Sequence, residues 1–297
     1  MKKMKEKKYI APNEASLKRW IAVLVVGLIL GFALALPSLL QAQNQVDTFM
    51  GIRYVELFGQ LSFVGFFVGI VLAIKLIGKT SLKDFVLGVG GKVNKKECMT
   101  VMGLYILGYI ISFLPGPNNI HLRSVNAGEY AFLLLFMVLT TWMQTTFEEL
   151  VFRGLFIRWA CKNEVHFTKK ALVACVVSSV LFALVHAPNP EVTTQSGIRV
   201  VIGLFNYVLP GLLMYIADLY FGSLLPGILI HWVNNFLLFT VISSEVTAMP
   251  VPTLLVDTTP HNAELVTLAT MVVYLPLLVY MIWGTWKKKK AALQEAQ

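Results

Sequence analysis

Glu148 and Glu149 stand side by side inside the apolar run from Tyr130 to Trp159, and Arg153 follows one helical turn later. An ionisable group at the centre of a membrane-spanning helix costs roughly 2.5–3.5 kcal/mol on insertion scales, so three in one run point to a use. At about 100° per residue, Thr141, Gln144, Thr145 and Glu148 share one face, while Glu149 and Arg153 lie one turn apart on the adjoining face. Glu149 and Arg153 are expected to form a structural ion pair, which leaves Glu148 as the available carboxylate on a polar, hydrated stripe. A buried ion-pair network with no chemical task would account for the same three residues.

Two later apolar runs also carry polar groups that suit chemistry. One ends in Phe182-Ala-Leu-Val-His186, and another holds His231-Trp-Val-Asn234-Asn235, where His231 and Asn235 are i,i+4 neighbours. With a rise of about 1.5 Å per residue, Glu148, His231 and Asn235 fall about 12–18 Å from the cytoplasmic ends of their runs, and His186 about 22–24 Å. The first three agree in depth, and His186 is the outlier.

Two water-activating schemes use such a set. In one, Glu148 is a general base for water, His186 orients that water, and His231 and Asn235 donate to the oxyanion of a tetrahedral intermediate. No cofactor is required for this. In the other, Glu148, His186 and His231 hold a zinc ion with one position open to water. The His-Glu-x-x-His signature of soluble zinc peptidases and the Gly-x-Ser-x-Gly of serine hydrolases are both absent.

The elements that must position these groups are helices in a membrane. Apolar residues make up 57% of the chain and are gathered into long runs, which fits a polytopic all-α helix bundle and no soluble class. The candidate spans are Trp20–Leu40, Leu57–Ile77, Met99–Leu114, Tyr130–Trp159, Ala171–His186, Val200–Leu219, Leu224–Ile242 and Leu265–Trp286, about eight in all. The loops between them are short, so residues 1–297 read as a single integral membrane domain, with 130–240 as its catalytic core. Pro115–Pro117 should end the third span and Pro188 and Pro190 the fifth, with Pro226 in the first turn of the seventh. Pro210–Gly211 predicts a kink in the sixth. The first span lacks a cleavage signature and reads as a retained helix.

The net charge of +9 is concentrated in alternate loops: the tail from Lys2 to Arg19, Lys79–Lys96, Arg158–Lys170 and Lys287–Lys290. By the positive-inside rule those segments and both termini are cytoplasmic, the charge faces the lipid surface, and no nucleic-acid partner is implied. Cys98, Cys161 and Cys175 have no metal-type spacing and are expected to be free thiols. His121, His166 and His261 lie in loops or at span ends and are most simply solvated, Asp218 at the cytoplasmic end of the sixth span reads as an interface carboxylate that needs no function, and Trp142 and Trp232 suit packing or interface anchoring.

The three motifs Glu148-Glu149-x-x-x-Arg153, Phe182-x-x-x-His186 and His231-x-x-x-Asn235, in this order, resemble those of the CPBP intramembrane protease family. That family groups type 2 CAAX prenyl endopeptidases with bacterial proteins linked to bacteriocin processing and self-immunity. The resemblance covers roughly Tyr130 to Thr240. It implies that Glu148 is the catalytic base, Glu149 the partner of Arg153, His186 the second-motif histidine, and His231 with Asn235 the oxyanion or, in the older reading, metal-binding pair.

The expectation is an intramembrane endopeptidase with a cavity open to the cytoplasmic half, acting on a peptide or membrane-anchored protein and residing as a multi-pass protein in a bacterial plasma membrane. Compact loops and lysine-rich tails suggest the bacterial source. The alternative is a non-enzymatic immunity or scaffold protein that keeps the polar cluster for folding or partner binding. A proton-coupled carrier would also bury carboxylates and histidines, but no internal repeat supports one.

Overall fold

The structure, a computed structural model, describes residues 17–43, 46–88, 91–113, 119–160 and 168–295. The basic tail Lys2–Lys8, Pro115–Pro117, Cys161 and His166 lie outside the described residues.

The chain is mostly helical, and each expected span coincides with a helix. α1 (Leu17–Gln41) and α2 (Tyr54–Leu76) are followed by a short α3 (Leu82–Leu87) and by α4 (Lys95–Phe113). α5 (Ala127–Glu149) passes through a π turn (Leu150–Gly154) into α6 (Leu155–Ala160), and α7 (Lys169–Val185) and a one-turn α8 (Pro190–Thr193) come next. α9 (Ile198–Phe221), α10 (Leu225–Thr240) and α11 (Ala263–Glu295) complete the bundle. Five stretches of the described helices are long and apolar enough to cross a membrane: Lys18–Gln41, Tyr54–Leu76, Ala127–Ile157, Ile198–Phe221 and Ala263–Trp286. α4, α7 and α10 occupy the other three expected spans but are shorter, at 19, 17 and 16 residues.

Local signals explain the boundaries. Asn126 caps α5 by accepting from the amides of Gly128 and Glu129, and Thr168 caps α7 by accepting from Ala171. Pro226 sits in the first turn of α10, where its missing N–H costs nothing. α9 runs as one helix through Pro210.

α1 lies against α2, α2 and α10 against α5, α7 against α9, and α11 against α4 and α9. The α1–α2 contact is backbone on backbone: a Cβ at Gly69 would stand 2.2 Å from the Gly31 nitrogen. In lipid such close approach supplies the dispersion energy that holds helices together.

Two small sheets were not foreseen. β1 (Thr48–Phe49) and β2 (Ile52–Arg53) form a hairpin, and β5 (Leu255–Asp257) lies between antiparallel β3 (Ile120–Leu122) and parallel β4 (Ile242–Ser244). β4 follows α10 directly, and Tyr130 Oη donates to the Thr240 carbonyl at 3.1 Å, which ties this sheet to the start of α5. The seventh apolar run is therefore helical only to Thr240, its last residue entering a strand.

Candidate active site

The last turns of α5 hold a dense buried polar group. Glu148 and Glu149 are 4% and 0% exposed, and Arg153 is fully buried. Glu149 Oε1 lies 3.1 Å from Arg153 Nη1, in the i,i+4 pairing expected of their spacing. The π turn begins just after Glu149 and contains Arg153, and its wide i→i+5 bond from the Leu155 amide to the Leu150 carbonyl shifts the ladder by one residue. The Ser178 hydroxyl of α7 donates to the Phe152 carbonyl within that turn. Arg153 fits because α9 presents Gly211, where a Cβ would stand 3.2 Å from Nη2, and because its guanidinium lies over the Phe182 ring at 4.2 Å.

Glu149 has a second partner. His231 of α10 places Nδ1 2.8 Å from the same Oε1, while its Nε2 faces Glu148 Oε2 across 3.4 Å. One imidazole thus stands between two adjacent carboxylates. Nδ1–H donates to Glu149, and Nε2 is the nitrogen presented to Glu148. Asn235, one turn on, accepts at Oδ1 from Asn234 Nδ2 at 3.1 Å, and Asn234 Oδ1 in turn accepts from Tyr105 Oη at 2.8 Å. That chain occupies the Asn235 oxygen and leaves its Nδ2 as the donor.

The polar face of α5 is buried within the bundle. The Thr141 and Thr145 hydroxyls bond back to the Met137 and Thr141 carbonyls of their own helix. Gln144 Nε2 donates to Glu148 Oε1 at 3.2 Å, and Gln144 Oε1 accepts from Gln60 Nε2 of α2 at 2.9 Å.

His186 caps the C-terminus of α7 and is half-buried. Its Nδ1 donates to the Phe182 carbonyl at 2.7 Å, which leaves Nε2 as the acceptor, and its ring stacks on Tyr207 at 4.6 Å. No hydrogen bond joins it to Glu148. Phe182 connects the two histidines instead, its ring centroid 4.4 Å from that of His186 and 5.7 Å from that of His231. One aromatic ring thus lies between the two histidines. Glu148, His186 and His231 do not converge as a metal-ligand set, and among the described residues no three His, Cys, Asp or Glu side chains do.

Several residues set aside in the sequence are engaged. Asp218 is 1% exposed and accepts from the Gly227 amide at 2.8 Å, so it holds the start of α10 and is no interface carboxylate. His261 is not simply solvated: its Nε2 donates to the Glu191 carbonyl at 3.1 Å. Trp142 and Trp232 pack edge to face at 5.9 Å. Cys98 and Cys175 are free thiols. Gln60, Tyr105 and Tyr207 were not singled out. For Gln60 a signal existed in the i,i+4 file Glu56–Gln60 within an apolar run, whereas the tyrosines have none.

Residues 130–237 match the family model of the type II CAAX prenyl endopeptidases, described as Rce1-like. The match agrees with the family that the three motifs resemble and encloses all of their residues, from Glu148 to Asn235. No curated protein matches the chain. The long apolar helices indicate a multi-pass membrane protein, and its segment 130–237 is similar to a family of proteases.

Proposed function

We propose that the protein is an intramembrane endopeptidase in which Glu148 activates water against a peptide carbonyl. The observation that carries this reading is the placement of His231 between Glu148 and Glu149, with Nδ1 committed to Glu149 and Nε2 turned to Glu148. Glu148 takes a proton from water, and the hydroxide adds to the scissile carbonyl carbon. The oxyanion that forms accepts from Asn235 Nδ2 and from an N–H at His231 Nε2, which must carry a proton for that role while Nδ1 stays on Glu149. Collapse breaks the C–N bond, and the proton on Glu148 passes to the leaving amine. His186 Nε2 is the acceptor that would orient the water or substrate at the rim. Zinc would need Glu148, His186 and His231 in a different arrangement, and no step here runs through a metal.

The substrate is a peptide or membrane-anchored protein, the cell membrane is bacterial, eight spans cross it and both termini face the cytoplasm. Purified protein in detergent should cleave members of a fluorogenic peptide library, and Glu148→Gln should lose about 10²–10⁴-fold in rate while eluting as a folded species. Cleavage should be indifferent to chelator. Full cleavage by Glu148→Gln, or loss with chelator and return with zinc, would overturn the mechanism. Absence of cleavage across the library, with biological activity intact in Glu148→Gln, would favour the non-enzymatic immunity or scaffold role.

A further inference from the structure

We infer that Gln60 of α2, which lies outside the matched segment, is a positioning residue that acts through Gln144 to fix the orientation of the Glu148 carboxylate. The inference rests on the proposed role of Glu148. The three side chains form a directed relay: Gln60 Nε2 to Gln144 Oε1 at 2.9 Å, then Gln144 Nε2 to Glu148 Oε1 at 3.2 Å. An ionised carboxylate only accepts, whereas a glutamine amide offers either its oxygen or its nitrogen to a given neighbour. A lone Gln144 could turn its oxygen towards Glu148 and set two acceptors against each other. The N–H of Gln60 claims that oxygen and holds the nitrogen on Glu148.

Burial makes the relay consequential. Gln60, Gln144 and Glu148 are 3%, 9% and 4% exposed, so bulk water does not replace a lost partner. A buried unmatched polar group is costly enough to change which way an amide faces. With Oε1 held, Oε2 is the oxygen turned to His231 Nε2 and left to take the proton from water. A residue needed only for packing on α2 would do as well as leucine, a side chain of similar volume free of buried polar atoms.

The test is a double-mutant cycle on cleavage with Gln60→Leu, Gln144→Leu and the pair, with Gln60→Met as a second variant in case the leucine perturbs folding. Each single change should lower kcat about tenfold with KM little altered, and the double variant should be no slower than the worse single one. Unchanged kcat in Gln60→Leu and Gln60→Met, or multiplicative losses in the double variant, would overturn the relay. Infrared difference spectra supply a readout that needs no turnover: the carboxylate band abolished by Glu148→Gln should shift in Gln60→Leu, and an unmoved band would also overturn it. Cleavage that survives Glu148→Gln would instead sink the general-base role, whatever the band does.

Discussion

Glu149 accepts at a single oxygen, Oε1, from His231 Nδ1 at 2.8 Å and lies 3.1 Å from Arg153 Nη1 with that same atom. The second glutamate of the pair is therefore both the counter-ion of a buried arginine and the anchor of an imidazole on another helix. Each role alone would be structural. Together they mean that the charge balance of the bundle and the aim of His231 depend on one carboxylate.

Glu149→Ala should accordingly damage folding before it damages chemistry. Removing one partner of a buried ion pair leaves the other charge uncompensated, at a cost of about 3–5 kcal/mol. Reduced accumulation in membranes and a lower unfolding temperature in detergent are expected, whereas Glu148→Gln should accumulate normally. Replacing both Glu149 and Arg153 with Leu and Met should recover part of the stability but no cleavage, because His231 loses its anchor. Equal accumulation of Glu149→Ala and Glu148→Gln would contradict this division of labour.

Ser178 offers a probe of the π turn. Its hydroxyl donates to the Phe152 carbonyl, one of the groups set off by the wide turn that carries Arg153. Ser178→Ala should cost about 1–3 kcal/mol of stability as that buried carbonyl loses a partner. Since the turn sets the reach of Arg153 to Glu149, kcat should fall more than KM rises. A variant with wild-type melting and kinetics would show the turn to be held by the helix alone.

The parts of this site that follow local rules were legible in the residues. An i,i+4 spacing fixes the Glu149–Arg153 pairing, and the apolar run around it identifies a buried helix. What could not be read is non-local. Nothing in the sequence says that Gln60 meets Gln144 across 84 positions, or that the single residue aligned with both glutamates is His231 and not His186. The three-residue strands β3, β4 and β5 are too short to show a period of two, and a π turn carries no compositional mark. The place of Asp218 near a span end suggests an interface carboxylate, whereas its burial depends on α10 folding back over it. The back-bonding of the α5 threonines to the preceding turn is a local rule that leaves Gln144 and Glu148 as the groups on that face with partners elsewhere in the fold.

Phe182 is the physical link between the two histidine motifs. Its ring carries the Arg153 guanidinium on one side and lies within 4.4 Å and 5.7 Å of the His186 and His231 rings. Phe182→Leu keeps the apolar volume but removes the cation–π contact, worth about 0.5–2 kcal/mol, and the ring-to-ring packing. The expected result is a several-fold drop in kcat with moderate loss of stability. Combined with His186→Ala, the losses should be less than multiplicative if the ring acts by placing His186. Fully multiplicative losses would assign Phe182 to Arg153 and His231 alone.

Asp218 should matter through the geometry of α10. Its main-chain carbonyl accepts from the Gly222 amide at 2.8 Å and the Ser223 amide at 3.2 Å, and Gly222 turns the chain at φ +67°. Its side chain then accepts from Gly227, an amide in the first turn of α10 that has no partner within the helix. His231 follows four residues later, so the carboxylate sets where that imidazole begins its approach to Glu148 and Glu149. Asp218→Asn keeps an acceptor and should lose less than half the stability lost by Asp218→Ala, for which about 1–3 kcal/mol is expected. Gly227→Ala should resemble Asp218→Ala, since a Cβ there would stand 2.8 Å from both carboxylate oxygens. Melting temperatures in detergent for the three variants decide the matter: if Asp218→Asn falls as far as Asp218→Ala, the charge rather than the cap is what α10 requires.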